Sequence, residues 1–163
     1  GEVIMSDNSR REFVGFAAGV VPGVVLGAAA SRARAGGGEP TRRVVGPSVS
    51  PAFSRAIVFG SVVHVAGVLG TKAGLRELAS PEFEGQCRQG LENLKASVEA
   101  AGAKMENVLK CGCFLTDAAD FATMNRIYVE FFPKDPPARS TVVVKELVLA
   151  GAKFEIDCIA ALV

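Results

Sequence analysis

The sequence predicts an α+β domain, a mixed sheet of about six strands with two helices against one face. Three observations point there. Two β-rich runs flank a turn signal at Gly60-Ser61, two later segments carry apolar residues at helical spacing, and two alternating segments follow the second of these. In chain order this gives strand, strand, helix, strand, helix, strand, strand.

Ala56-Ile57-Val58-Phe59 and Val62-Val63-His64-Val65-Ala66-Gly67 surround the turn and read as a hairpin. Thr71 to Leu78 reads as loop. Ser80 is placed to cap a helix, with Pro81 at its first position and Glu82 and Glu84 in its first turn, where the helix dipole favours negative charge. Phe83, Cys87, Leu91, Leu94 and Val98 then form one apolar stripe, and Gly102 ends the helix. Val108 to Thr116 is a third strand, with Leu109, Cys111, Cys113 and Leu115 on one face and Lys110, Gly112 and Phe114 on the other. Asp117 to Asp120 makes a turn or cap. A second helix is striped by Phe121, Met124, Tyr128 and Phe132 and stopped by Pro133 and Pro136-Pro137. Arg139 to Lys145 and Lys153 to Val163 are the closing strands, joined through Ala150-Gly151-Ala152. In the last, Phe154, Ile156, Cys158 and Ala160 alternate with Lys153, Glu155, Asp157 and Ile159. The sheet face away from the helices therefore mixes polar and apolar groups, which predicts a subunit interface and an oligomer.

The chain has 163 residues, 49% of them apolar, enough for one core plus an appendage. Its 18 basic and 17 acidic residues nearly cancel, leaving no electrostatic footprint for nucleic acid or an anionic membrane. Cys87, Cys111, Cys113 and Cys158 all fall inside periodic elements, so free, buried thiols are expected rather than a disulfide framework. Cys111-Gly-Cys113 has only His64 as a nitrogen partner in the whole chain, so no metal site is expected.

The first residues differ in kind. Ser9-Arg10-Arg11-Glu12-Phe13-Val14 precedes the uncharged stretch Gly15 to Ala30 and then Ala33-Arg34-Ala35. That order resembles a twin-arginine export signal over residues 1–35, and the expectation is an exported, periplasmic protein without stable membrane association once the signal is removed. A cytoplasmic location is the alternative. Residues 36–43, beginning Gly36-Gly37-Gly38-Glu39-Pro40, read as a linker, and the domain is expected over 44–163.

Pro137-Ala138-Arg139-Ser140-Thr141-Val142-Val143-Val144, followed by Lys153-Phe154-Glu155-Ile156-Asp157-Cys158-Ile159-Ala160, resembles the Rid/YjgF family of reactive intermediate (imine) deaminases. Gly46-Pro47, Gly67, Asn93-Leu94, Ala100-Ala101-Gly102 and Asp120-Phe121-Ala122-Thr123-Met124-Asn125 fall where relatives carry similar segments. The resemblance implies a chorismate-mutase-like fold, a homotrimer with ligand clefts between subunits, and hydrolysis of 2-imino or 2-enamino acids to 2-keto acids and ammonia without any cofactor. It also carries the label of endoribonuclease or translation inhibitor. Zero net charge after residue 35, one tyrosine and no tryptophan give phosphates and bases little to engage.

Such a hydrolase must hold a carboxylate, position water and manage protons. Arg139 suits the first task, because its planar fork pairs two donors with two carboxylate oxygens. Glu155 is the expected water-positioning or proton-shuttling group, within a water's reach of Arg139. Asp157 shares its strand face, a spacing that any alternating strand produces and that does not by itself indicate a glycosidase pair. Asn125 is a candidate polar contact to the cleft, and the Thr141 backbone a candidate edge contact. His64 reads as structural. The family usually presents tyrosine where this chain has Ser48 and serine where it has Ala66, beside Gly67, and Thr141 stands where many relatives have cysteine. The family's two hydroxyl-bearing contacts are thus changed at Ser48 and absent at Ala66, which enlarges the expected pocket, removes polar anchors and favours a different ligand or a binding protein that has lost the reaction.

Overall fold

A computed structural model describes residues 39–46 and 50–163. The twin-arginine segment, the glycine run of the linker and Ser48 lie outside the described residues. Eight regular elements follow in order: β1 (Arg42–Val45), β2 (Ala56–Phe59), β3 (Val62–Leu69), α1 (Phe83–Ala101), β4 (Val108–Leu115), α2 (Phe121–Phe131), β5 (Ala138–Val143) and β6 (Phe154–Ala161). The six strands form one sheet in the order β1-β2-β3-β6-β4-β5. Only β4 and β5 pair parallel, joined by α2 as crossover, and every other pairing is antiparallel.

The predicted order holds, with one strand added and several boundaries moved. Arg42 and Arg43, assigned to the linker on composition, pair with Phe59 and Val58. Four residues, three of them exposed, carry too little periodicity to be seen as a strand. The β2–β3 connection is the expected two-residue turn, with Gly60 at φ 59°, a conformation that costs glycine nothing.

Helix α1 begins later than Ser80 suggests. The Ser80 hydroxyl accepts from the Glu82 backbone N–H at 3.0 Å, so it closes the turn before the helix, and Glu82 occupies the cap position without a side-chain bond. The other end matches expectation: Gly102 sits at φ 94°, its N–H donates to the Glu99 carbonyl, and Ala103 N–H reaches back to Val98. This is the Schellman closure that only an achiral residue makes cheaply. The stripe Phe83, Cys87, Leu91, Leu94 and Val98 is buried against β3 and β6.

Strand β4 corrects the sequence reading. Leu109 was placed on the core face with Cys111, Cys113 and Leu115, yet it is 54% exposed while those three are buried. The register with β6 slips between Val108 and Lys110, a bulge that turns Leu109 outward and brings Val108 into the core. On α2, Met124, Ile127 and Tyr128 are buried, whereas Phe121, expected in the stripe, is 44% exposed.

Both helices lie on the face that carries Phe154, Ile156, Cys158 and Ala160. The ring of Phe154 meets Phe83 edge-on at 6.1 Å and lies beneath Gly90, where an added Cβ would come within 3.0 Å of Cδ1. A helix-interior glycine costs ~1 kcal/mol relative to alanine. Complete burial of a phenylalanine contributes ~1.5–3 kcal/mol, so the close approach wins.

Two polar residues of α1 had no signal in the apolar stripe. Gln86, fully buried, donates to the Ser80 and Gly151 carbonyls and accepts from Lys153 N–H at 2.8–3.1 Å, tying two loops to the helix. Asn93 donates at 2.9 Å to the carbonyls of both Leu69 and Thr71. Asn93 thus satisfies carbonyls at and just beyond the end of β3, and Gln86 those of the loops before α1 and β6 together with the Lys153 N–H.

Candidate functional site

Cross-strand partners share a face, so the register fixes where each expected site residue points. Arg139 pairs with Cys111 and Cys111 with Cys158, which puts Arg139 on the helix side of the sheet. Phe114 pairs with Glu155, and Gly112 with Asp157, on the opposite side. Within one chain Glu155 and Arg139 therefore do not meet, and the expected approach of the two belongs to a cleft between subunits. Alternation along β5 and β6 separates the two onto opposite faces.

The Arg139 side is a built arrangement. Nη2 donates to Asn125 Oδ1 at 2.6 Å, and the guanidinium carbon lies 4.6 Å from the centre of the Tyr128 ring and 5.8 Å from that of Phe121. Edge strand β5 supplies the arginine, and α2 supplies the other three. Tyr128 is 3% exposed and packed 4.6 Å from Phe132, and its buried hydroxyl, near the Cys111 thiol, makes no hydrogen bond to any described residue. Burial pushes the phenol's pKa upward. Thr141 is half-buried on the same face, two residues along β5. Arg139 is thus not a loose surface arginine, and Asn125 is not a plain helix-surface residue. Tyr128 and Phe121 were seen in the sequence only as core stripe.

The Glu155 side lies on the helix-free face. Val65 pairs with Cys158 and Val68 with Ile156, so Ala66 and Gly67 together oppose Asp157 in a β-bulge. Gly67 lies directly beneath Glu155, where a Cβ would stand 2.0 Å from Oε1. Asp157 is anchored by the Gly112 N–H at 3.0 Å, a structural role that leaves Glu155 as the unpaired acid. Burial, and then the neighbouring Asp157 charge, raise the Glu155 pKa above the usual carboxylate value. His64, read as structural, is exposed on this face beside Ile159.

Two concavities among the described residues lie elsewhere. One of about 490 Å³ lies between Lys72, Arg76, Pro81 and Leu149, and one of about 390 Å³ between Arg88, Lys95 and Glu130. Their charged groups are largely tied up in ion pairs, Lys72 with Glu77, Arg88 with Glu130 and Lys95 with Glu99. The four thiols are all free and buried. Burial pushes Cys87, Cys113 and Cys158 up to about 12 and raises Cys111, so none is a ready nucleophile.

A mixed six-stranded sheet with two helices on one face, an edge-strand arginine braced by the second helix and a desolvated acid on the far face define an α+β protein with two polar half-sites on opposite faces of its sheet. The chain belongs to the endoribonuclease L-PSP family, also called Rid/YjgF, whose profile matches residues 45–162. It is 40% identical over 125 residues to Reactive Intermediate Deaminase A of Arabidopsis thaliana, covering 74% of this chain and 66% of that one. It is 34% identical over 122 residues to the 2-iminobutanoate/2-iminopropanoate deaminase of Dermatophagoides farinae, covering 72% and 94%. Among solved structures, RidA from the Antarctic bacterium Psychrobacter superposes with a TM-score of 0.68 at 33% identity, covering 74% and 99%. TdcF of E. coli, with bound serine, superposes at 0.67 and 32%, covering 73% and 98%.

Proposed function

We propose that the protein hydrolyses 2-imino and 2-enamino acids to 2-keto acids and ammonia, at clefts between the subunits of a homotrimer. The observation that carries this is the Arg139 fork, held by Asn125 and by the face of Tyr128 at an open sheet edge. A relative named for deamination of 2-iminobutanoate and 2-iminopropanoate, and another that holds serine, supply the ligand class.

Because Arg139 and Glu155 sit on opposite faces of one sheet, a site that uses both must draw them from two chains. In this reading the substrate carboxylate pairs with Arg139 of one protomer, while the helix-free face of the next presents Glu155 above Gly67. Glu155 takes a proton from water as the oxygen adds to the C=N carbon and returns it to nitrogen. Glu155 then carries the hydroxyl proton of the tetrahedral adduct to its amine, and as the C–N bond breaks ammonia leaves and the oxygen's electron pair closes C=O. An enamine first takes a proton at its terminal carbon. A carboxyl with a raised pKa is closer to the working pH and so better suited to move protons both ways.

The test is to generate imines with an amino-acid oxidase and to follow keto-acid release. Acceleration over buffer is expected for the native chain, with loss in Arg139→Ala; no acceleration would reject the reaction. A second reading, a binding trimer without turnover, is favoured by Ala66, which brings no hydroxyl to the bulge beside Glu155. Tight calorimetric binding of 2-keto acids without turnover would establish it. Export through the twin-arginine segment would place either activity outside the cytoplasm, which fractionation of the producing cell decides.

A further inference from the structure

A carboxylate clamp is effective only if its fork is already in place. A free arginine side chain carries substantial rotamer entropy, and ordering it at the moment of binding would be charged against affinity. Arg139 emerges from an edge strand with no neighbour on one side, the place where such freedom should be greatest. The structure instead fixes it at two points. Asn125 accepts from Nη2, and the Tyr128 ring lies flat enough to the cation to place its centre 4.6 Å from Cζ.

Tyr128 is the firmer of these. It stands on the buried face of α2, stacked on Phe132, and cannot move without moving the core. Its hydroxyl makes no hydrogen bond to any described residue, so what it gives to Arg139 comes from the ring and its electron-rich face. Asn125, one turn earlier and half-exposed, occupies one edge of the guanidinium. The remaining donors make no hydrogen bond within the described residues and stay available to a ligand.

We infer that Tyr128 and Asn125 are positioning residues: they hold the Arg139 fork preorganised for a carboxylate and do not themselves touch it. This rests on the deaminase reading above and reassigns Asn125 from ligand contact to brace. The consequence is a specific division of labour. Weakening the brace should raise KM and the Kd of a bound carboxylate, while the proton transfers at Glu155 and hence kcat change little.

The experiment uses the full chain and four variants, Tyr128→Phe, Tyr128→Leu, Asn125→Ala and Arg139→Ala, with imine turnover and calorimetric pyruvate binding as readouts. Tyr128→Phe keeps the ring and is expected to bind and turn over within about twofold of wild type. Tyr128→Leu and Asn125→Ala are expected to raise KM and pyruvate Kd by about five- to tenfold, the scale of one lost charged hydrogen bond or stacked cation, with kcat within about threefold. Tyr128→Phe as impaired as Tyr128→Leu, or Asn125→Ala lowering kcat at constant KM, would overturn the inference. Should Tyr128→Leu fail to fold, Asn125→Ala on the half-exposed face of α2 decides the matter by the same split. Wild-type binding by both brace variants while Arg139→Ala loses it would remove the brace alone. Unchanged binding by Arg139→Ala would remove the clamp reading and the brace together.

Discussion

At Arg139 the decisive property is shape as much as charge. A lysine there would keep the cation but present a single point donor that neither pairs bidentately nor stacks broadly on Tyr128. Arg139→Lys is therefore expected to retain only part of the binding, and Arg139→Ala to lose roughly tenfold or more in affinity, the equivalent of the ~1.5–3 kcal/mol of a charged hydrogen bond; calorimetry with a 2-keto acid measures both. Glu155 gives a prediction with a definite sign. Its folded pKa is raised above the ordinary glutamate value, by burial first and by Asp157 second, so ionising it costs the folded state stability. That cost is present above the folded pKa and disappears as pH falls below the free value. Glu155→Gln should then raise Tm at about pH 7, with the gain fading toward about pH 4 in matched thermal melts, while deaminase turnover falls. Arg139 and Glu155 were both legible in the sequence through family motifs, but their separation was not. Residue type and spacing name a chemistry, whereas the face each side chain takes follows from a register set by strands some distance apart in the chain.

Among the elements, apolar periodicity located both helices and most strands because each buries one face continuously. It failed where an element departs from its own period. Leu109 and Leu115 look equivalent on an alternating strand, yet the β4 bulge exposes the first and buries the second completely. Leu115→Ala is expected to cost ~2–5 kcal/mol and Leu109→Ser within about 0.5 kcal/mol, a contrast that urea unfolding of the two variants would read directly. Buried polar residues escape periodicity for another reason, since a stripe analysis counts only what is apolar. Gln86 serves three backbone groups from inside α1, and Gln86→Leu strands all of them at once. A loss of about 3 kcal/mol or more is expected, with faster proteolysis at 72–80 and 144–152, the loops it ties down.

For the molecule as a whole, the two half-sites on opposite faces make a complementation test possible. Arg139→Ala and Glu155→Gln chains, each impaired alone, should regain part of the wild-type activity when unfolded together and refolded as a mixture, because some clefts then receive a native residue from each chain. Mixtures no more active than the separate variants would mean that the site is not shared. The buried thiols offer a check on integrity in the same samples: Cys87, Cys111, Cys113 and Cys158 should resist a maleimide in the folded protein and react on unfolding. The sheet order has an effect on biosynthesis. Strand β6 lies between β3 and β4, so a nascent chain that has emerged as far as Ala150 holds two unjoined ribbons, β1-β2-β3 and β4-β5, each with an open row of amides. Both helices precede β6 in the chain, and α1 packs on β3 and β6 together, so until β6 is present it lacks part of the sheet it covers. The eight residues of β6 are the last strand of this sheet to be synthesised, and pairing on both sides of β6 is what joins the two ribbons into one sheet. Until then the aggregation-prone edges are the chaperones' concern.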